Sequence, residues 1–453
     1  MKISCTDTKT GLKFSVNDRK YELVYPEEVW KEYPESLKKV TVDNFAFLKS
    51  LHLPQMLNNG NSLEFDTSYP LFHKPFYNAM LNNISFCADV DGIPTEKNLK
   101  KFMNLSFSFK DFNVDYPEYE KELSEKSVVN MSFGKDSLLT YALAQEIGIE
   151  PKAVFMEDNS VMIENQYKKD LIKRFSKEQG KEVWSFRNGT GVIHDYRHWK
   201  MPRTEWGYGH LITELFLDIM PFAHKYGAKY ILFGNEKSCD DSYVNKDGYQ
   251  SYPVFDQSSD WMVELTNIAR TLTNKQAKVV SLIEPLYELG IIKVLHQRYP
   301  EIGKFQMSCF PDESEYGKKH FWCEHCSKCA RIFIFLKANG IDPKNVGFKT
   351  DMLDYEKEHL YSCFGLEKKA GFAVGYDASG MAREEQLYSF YLAYKNKVKG
   401  DLIVKFKKNF LDEARSREDE LHKKFLGMHA AKTIPSKFLK PLGSIFKEEL
   451  AKD

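Results

Sequence analysis

The chain has 453 residues, enough for two or three domains with buried cores, and its 42% hydrophobic and 14% aromatic content excludes wholesale disorder. Lys and Arg number 64, as do Asp and Glu, so no global field attracts a polyanion, which weighs against a dedicated nucleic-acid binder. Met1-Lys2-Ile3-Ser4-Cys5 lacks an apolar signal core and no apolar run is long enough for a bilayer, so a soluble cytoplasmic protein with no membrane partner is expected. Four of the eight cysteines gather in one short segment, in keeping with a reducing compartment.

In chain order, alternation at residues 12–16 and 21–25 predicts two strands, with Asn17-Asp18-Arg19-Lys20 as the turn between them. A helical stretch follows near 42–51 and a further strand at 105–109. Residues 1–125 therefore read as a smaller α+β domain that ends in the acidic, proline-containing segment 115–125. From Val128 the rhythm becomes strand and helix in alternation: strands at 128–131, 153–156, 183–186 and 230–233, helices at 138–147, 166–179 and 211–226. That pattern predicts a parallel sheet with right-handed crossovers over a second domain, residues 126–345, whose ligands lie at the strands' carboxyl ends. Residues 346–453 read as a mainly helical extension, rich in Lys and Glu from Lys395 on, as a solvated surface would be.

Two motifs carry chemistry. The strand at 128–131 empties into Ser132-Phe133-Gly134-Lys135-Asp136-Ser137 and then a helix. Helix amino termini carry unpaired N–H groups and partial positive charge, so this order describes a phosphate cradle. It is not a Walker A loop, because Asp136 follows Gly134-Lys135 and the upstream glycine is missing. An ordinary polar strand-to-helix turn is the plain alternative. The second motif places Cys323, Cys326 and Cys329 three residues apart, with Cys309 upstream, a spacing suited to one tetrahedral Zn²⁺. Four sulfurs would leave no open position, so the zinc would be structural. An iron–sulfur cluster or incidental buried thiols remain alternatives, and His320, His325 or Cys363 could replace Cys309.

The loop resembles that of the PP-loop ATP pyrophosphatases, Ser-Gly-Gly-x-Asp-Ser, which cleave ATP between the α and β phosphates. The resemblance implies a sheet of the adenine nucleotide alpha hydrolase type, with Ser132, Gly134, Lys135, Asp136 and Ser137 holding the diphosphate and Mg²⁺. Phe133 departs from the pattern, since glycine there would give backbone freedom that phenylalanine lacks. Ser308-Cys309 followed by Trp322-Cys323-x-x-Cys326-x-x-Cys329-x-Arg331 resembles 7-cyano-7-deazaguanine synthases, shorter enzymes similar over about residues 128–336. In length and domain order the chain is more similar to the ATP-dependent epimerases acting on UDP-N-acetylmuramoyl-L-alanyl-L-glutamate in peptidoglycan synthesis. That likeness rests on Ser132 to Lys135, Asn235-Glu236, Trp322 to Cys329, and Phe372-Ala373-Val374-Gly375 before Glu384-Glu385.

The epimerase resemblance implies a carboxylate-adenylating isomerase using ATP and Mg²⁺, with a small-molecule carboxylate, a UDP-sugar peptide, as substrate; homo-oligomerisation stays open. Lys135, Asp136 and Glu236 are the catalytic candidates. Asp256, Asp260, Lys237, His198 and the thiol of Cys239 are further acid–base candidates, and Arg197, Lys200 and Arg203 form a basic stretch that could meet a carboxylate or diphosphate. Two other functions compete. A deazaguanine- or tRNA-modifying enzyme of the thiolation type would need a reactive cysteine, Cys239 or Cys363. A zinc-stabilised module would sense nucleotide without turnover.

Overall fold

The computed structural model describes residues 1–309, 311–313, 316–318, 321–367 and 375–452. Its strands are β1 (Lys2–Thr8), β2 (Gly11–Val16), β3 (Arg19–Val24), β4 (Ser62–Phe65), β5 (Ser106–Ser108), β6 (Ser124–Asn130), β7 (Pro151–Asp158), β8 (Trp184–Asn188), β9 (Ala228–Leu232), β10 (Tyr243–Val244), β11 (Gln250–Ser251) and β12 (Lys278–Val280). Ten of them form one sheet in the order β12-β9-β6-β7-β8-β3-β2-β1-β4-β5, while β10 and β11 pair separately. The chain is thus an α/β fold with a large, mostly parallel sheet.

The segment from β12 to β8 is parallel throughout. Helices Lys135–Glu146, Met162–Gln179 and Leu211–Tyr226 follow β6, β7 and β8 in turn, the alternation read from the sequence. Central strands must bury both faces, and β6 does so with Ser127, Val128 and Val129. Because successive side chains point to opposite faces, Val128 joins one hydrophobic core and Val129 the other. The Val128 side is filled by the helix Leu211–Tyr226, the helix Ser259–Leu272 and the first hundred or so residues; the Val129 side by the helices Lys135–Glu146, Glu288–Arg298 and Ser327–Ala338 and the carboxyl-terminal helices.

The amino-terminal strands continue the same sheet. β1, β2 and β3 form an antiparallel meander, with Asn17 at φ 51° in the β2–β3 turn, and β3 pairs antiparallel with β8 through Leu23↔Asn188 and Val24↔Arg187. β4 and β5 add to the far edge in parallel. The helical stretch expected near 42–51 lies within the helix Glu35–Ser50, and the strand expected at 105–109 contracts to Ser106–Ser108. Among the described residues, no helix is long and apolar enough to cross a membrane.

Candidate functional site

The loop after β6 takes the shape its position requires. Phe133 adopts φ 58°, a left-handed conformation that costs an L-residue roughly 1–2 kcal/mol. Its ring is fully buried and meets Phe175 edge-on at 5.6 Å, so packing holds the backbone where a glycine would go unaided. Its carbonyl accepts from Met307 N at 2.7 Å. Gly134 caps the helix Lys135–Glu146. Ser132 Oγ lies 3.2 Å from Ser137 Oγ, and Ser308 Oγ accepts a long bond, 3.4 Å, from Lys135 N. Gly234, just beyond β9, comes so close that a Cβ there would sit 2.7 Å from Asp136 Cβ and 2.9 Å from its carbonyl carbon.

Charged groups crowd behind this loop. Lys135 Nζ contacts Asp136 Oδ1 at 2.7 Å and Glu288 Oε2 at 3.4 Å, and Arg331 Nε stands 3.3 Å from that same Glu288 oxygen. Arg331 also pairs with the fully buried Asp377 at 2.6 Å. Burial works against the Lys135 ammonium, but Asp136, Glu288 and Glu236 outweigh it and hold the side chain charged. Burial pushes the Glu236 carboxyl up to about 8, with the Glu288 charge adding to it. Glu236 accepts from Ser238 N at 2.8 Å and from the Ser238 hydroxyl. Burial, then Arg331 and Lys135, lower the pKa of Lys328.

These groups open onto a cavity of about 610 Å³ at the carboxyl ends of the parallel strands. Ser132, Lys135, Asp136, Glu236, Cys239, Asp256, Arg197 and Arg203 all line it. Burial pushes Asp256 up to about 8, and its Oδ2 accepts from Ile212 N at 2.8 Å. Burial, followed by the Glu236 charge, drives the Cys239 thiol far above its ordinary value, so it is no thiolate base. The other candidates lie elsewhere. Asp260 is exposed and pairs with Lys432, Lys237 pairs with Asp240 at 2.9 Å, and His198 Nε2 lies 2.8 Å from the Tyr21 hydroxyl. Lys200 and Cys363 are likewise away from the cavity lining.

Cys309, Cys323, Cys326 and Cys329 come together, buried, with their sulfurs all within 4.8 Å of one another. Cys329 Sγ is 3.6 Å from both Cys323 Sγ and Cys309 Sγ. A tetrahedral ion with metal–sulfur bonds of about 2.3 Å needs edges of about 3.8 Å, so the four residues fit a metal such as zinc. Cys323 N donates to Cys309 Sγ at 3.1 Å and Cys329 N to Cys326 Sγ at 3.5 Å. Cys309 therefore takes the fourth place. His325 is engaged by the Cys323 carbonyl at 2.7 Å and stacked on Tyr316, and Cys363 stands apart; His320 and Phe372 to Val374 lie outside the described residues.

The chain matches no family model, and no curated protein matches it in sequence.

Several lining groups carried no sequence signal. Glu288 begins the helix Glu288–Arg298 and meets Lys135 only through the fold. Arg331 was legible as the end of the cysteine motif, but its partners Glu288 and Asp377 were not. Asp158, His194, Glu214 and Asp218, on another part of the lining, come from β7, the turn after β8 and the helix Leu211–Tyr226. The spacing His210-x-x-x-Glu214-x-x-x-Asp218 is the one local clue to them.

Proposed function

We propose that this protein is a PP-loop ATP pyrophosphatase that activates a carboxylate as an acyl adenylate, releasing AMP and diphosphate. The observation that carries the reading is the loop Ser132 to Ser137, which leaves β6 at its carboxyl end, enters a helix amino terminus and opens onto the cavity. Lys135, with Lys328 and Arg331 beside it, supplies the positive charge that a departing diphosphate needs. Asp136 and Glu236 are the oxygen donors for Mg²⁺, which would offset phosphate charge; the crowding that raises Glu236 is the strain a divalent cation relieves. Zinc on the four cysteines is structural in this reading.

Adenylation makes chemical sense of such a site. A carboxylate resists both a nucleophile and loss of its α-proton, because its negative charge opposes each. When its oxygen attacks the α-phosphorus of ATP and diphosphate leaves, that charge is gone. The acyl adenylate can lose the α-proton and regain it on the opposite face, and water then returns the carboxylate and AMP. The specific reading is inversion of the terminal L-glutamate of UDP-N-acetylmuramoyl-L-alanyl-L-glutamate. The cavity is of the size that takes small molecules, and Arg197 and Arg203 on its wall suit an anionic substrate.

The test is formation of AMP and diphosphate from ATP and Mg²⁺, with and without that substrate, alongside the configuration of the glutamate. Substrate-dependent AMP with appearance of D-glutamate establishes the epimerase. AMP without inversion retains the pyrophosphatase and redirects the search to a synthase-like or base-modifying reaction. No cleavage with any carboxylate leaves the non-catalytic nucleotide-binding module.

A further inference from the structure

Away from the loop, three segments distant in sequence bring three histidines to one point. His52 follows the helix Glu35–Ser50, His194 ends the short turn Gly191–His194 after β8, and His210 precedes the helix Leu211–Tyr226. Their ring centroids are 4.8 Å (His52 to His194), 5.0 Å (His52 to His210) and 5.3 Å (His194 to His210) apart. One ring nitrogen from each falls within 4.8 Å of the other two. The three side chains are almost inaccessible, at 0%, 3% and 1%.

A core histidine ordinarily satisfies both its nitrogens with hydrogen bonds, since burying an unpaired polar atom costs about 1–3 kcal/mol. Here both nitrogens of His52, both of His210 and Nδ1 of His194 make none of proper geometry. His194 Nε2 lies 2.8 Å from Glu214 Oε2, and His210 Nε2 lies 3.1 Å from Glu214 Oε1. One turn further along the same helix, both carboxylate oxygens of the buried Asp218 also lack a partner. Lys49 pairs with Glu214 and feels Asp218 and Asp158. So many unpaired donors and acceptors around one point describe a site built for a ligand, and three converging imidazoles describe one for a metal ion.

We propose that His52, His194 and His210 bind a divalent transition-metal ion of the zinc class, with Glu214 orienting the rings. Imidazole with a neighbouring carboxylate suits zinc, iron(II), cobalt or nickel, and does not suit magnesium. Glu214, already at His194 Nε2, leaves the unpartnered Nδ1 of that ring for the ion, the role of the carboxylate behind a metal-bound histidine. His194, Glu214, Asp158 and Asp218 line the cavity, so the site borders whatever the cavity holds. Gly191 belongs to the same construction: a Cβ there would fall 1.9 Å from Asp158 Oδ1, so only glycine lets the turn carrying His194 pass this carboxylate. The site stands independently of the nucleotide reading, and His52 and Lys49 bring the amino-terminal residues to the groups behind the cavity wall.

The experiment is metal analysis of the full chain after loading with Zn²⁺ or Co²⁺ and removal of loosely held ion, with X-ray absorption to identify the ligands. The expected result is an ion with nitrogen and oxygen ligands, one equivalent per chain, in addition to any sulfur-bound ion. His52→Gln and His194→Gln should each lose that equivalent while the sulfur-bound ion stays. A wild-type chain that holds only sulfur-bound metal, with Mn²⁺ and Fe²⁺ also tried, overturns the proposal. So does a nitrogen-bound ion indifferent to both substitutions, which would be adventitious binding to surface groups. If the variants fail to fold, the wild-type stoichiometry and ligand set decide.

Discussion

Replacing Phe133 tests how the loop is held. The ring is fully buried against Phe175 while the backbone sits at φ 58°. Phe133→Ala removes the ring and should cost about 3–5 kcal/mol by loss of burial and the cavity left behind, with the backbone still strained. Phe133→Gly removes the same ring but relieves strain of roughly 1–2 kcal/mol. Glycine's larger unfolded-state entropy returns about 0.5–1 kcal/mol of that gain. The glycine variant should therefore be the more stable of the two by up to about 1.5 kcal/mol, the reverse of the order at an ordinary position. Urea unfolding followed by circular dichroism gives both values. An alanine variant clearly more stable than the glycine variant would refute the claim that packing holds Phe133 in a strained backbone.

Further outcomes follow from other residues. Lys135→Ala should lower the proposed AMP formation by about 10²–10³-fold and leave the metal content unchanged; a smaller loss would remove Lys135 from the proposed diphosphate site. Gly234→Ala drives a Cβ into the Asp136 backbone and should cost about 1–3 kcal/mol, seen as a lowered Tm; an unchanged Tm would show that the loop yields freely. Asp256 gives a pH test: burial raises its folded pKa to about 8 from about 4 unfolded. The fold thus disfavours the ionised form, and the penalty is absent below pH 4, grows from pH 4 to pH 8 and is constant above. Wild type should lose stability relative to Asp256→Asn across that window, and parallel unfolding profiles would contradict the assignment. Cys326→Ser should release the cysteine-bound metal and weaken AMP formation before the chain unfolds; full metal retention, read by elemental analysis, would exclude Cys326 as a ligand.

What the sequence disclosed was what is local. The helix at 211–226 was legible end to end because its apolar period is unbroken, and the four cysteines because metal ligands crowd into tight turns. The joining of β3 to β8 was not, since it depends on two residue pairs more than 160 positions apart and neither strand advertises its neighbour. β1 was missed because Ser4, Thr6 and Thr8 alternate weakly with Ile3, Cys5 and Asp7. The charged groups behind the loop were invisible for the same reason as the histidines. Glu288 and Asp377 each read as an ordinary polar residue until the fold sets them beside Arg331, which the sequence marked only as the end of the cysteine motif.

The segment Gln306 to Cys309 ties the cysteine cluster to the loop after β6. Met307 N donates to the Phe133 carbonyl, Ser308 Oγ accepts from Lys135 N, and the next residue, Cys309, supplies a sulfur. Gln306 anchors the other end, with its Oε1 2.7 Å from His296 Nε2 and its Nε2 donating to Ser308 Oγ at 3.3 Å. On the far side, Cys329 lies in the helix Ser327–Ala338, which carries Arg331 to Glu288 and so to Lys135. A tetrahedral ion on the four sulfurs would therefore clamp the loop from two directions, through the hydroxyl of Ser308 and through the guanidinium of Arg331. The contacts at Lys135 N are long and single, whereas those around Phe133 are short and packed. Loosening the clamp should therefore free the helix amino terminus first and leave the strand end in place, which is why metal loss should act on the proposed turnover ahead of folding.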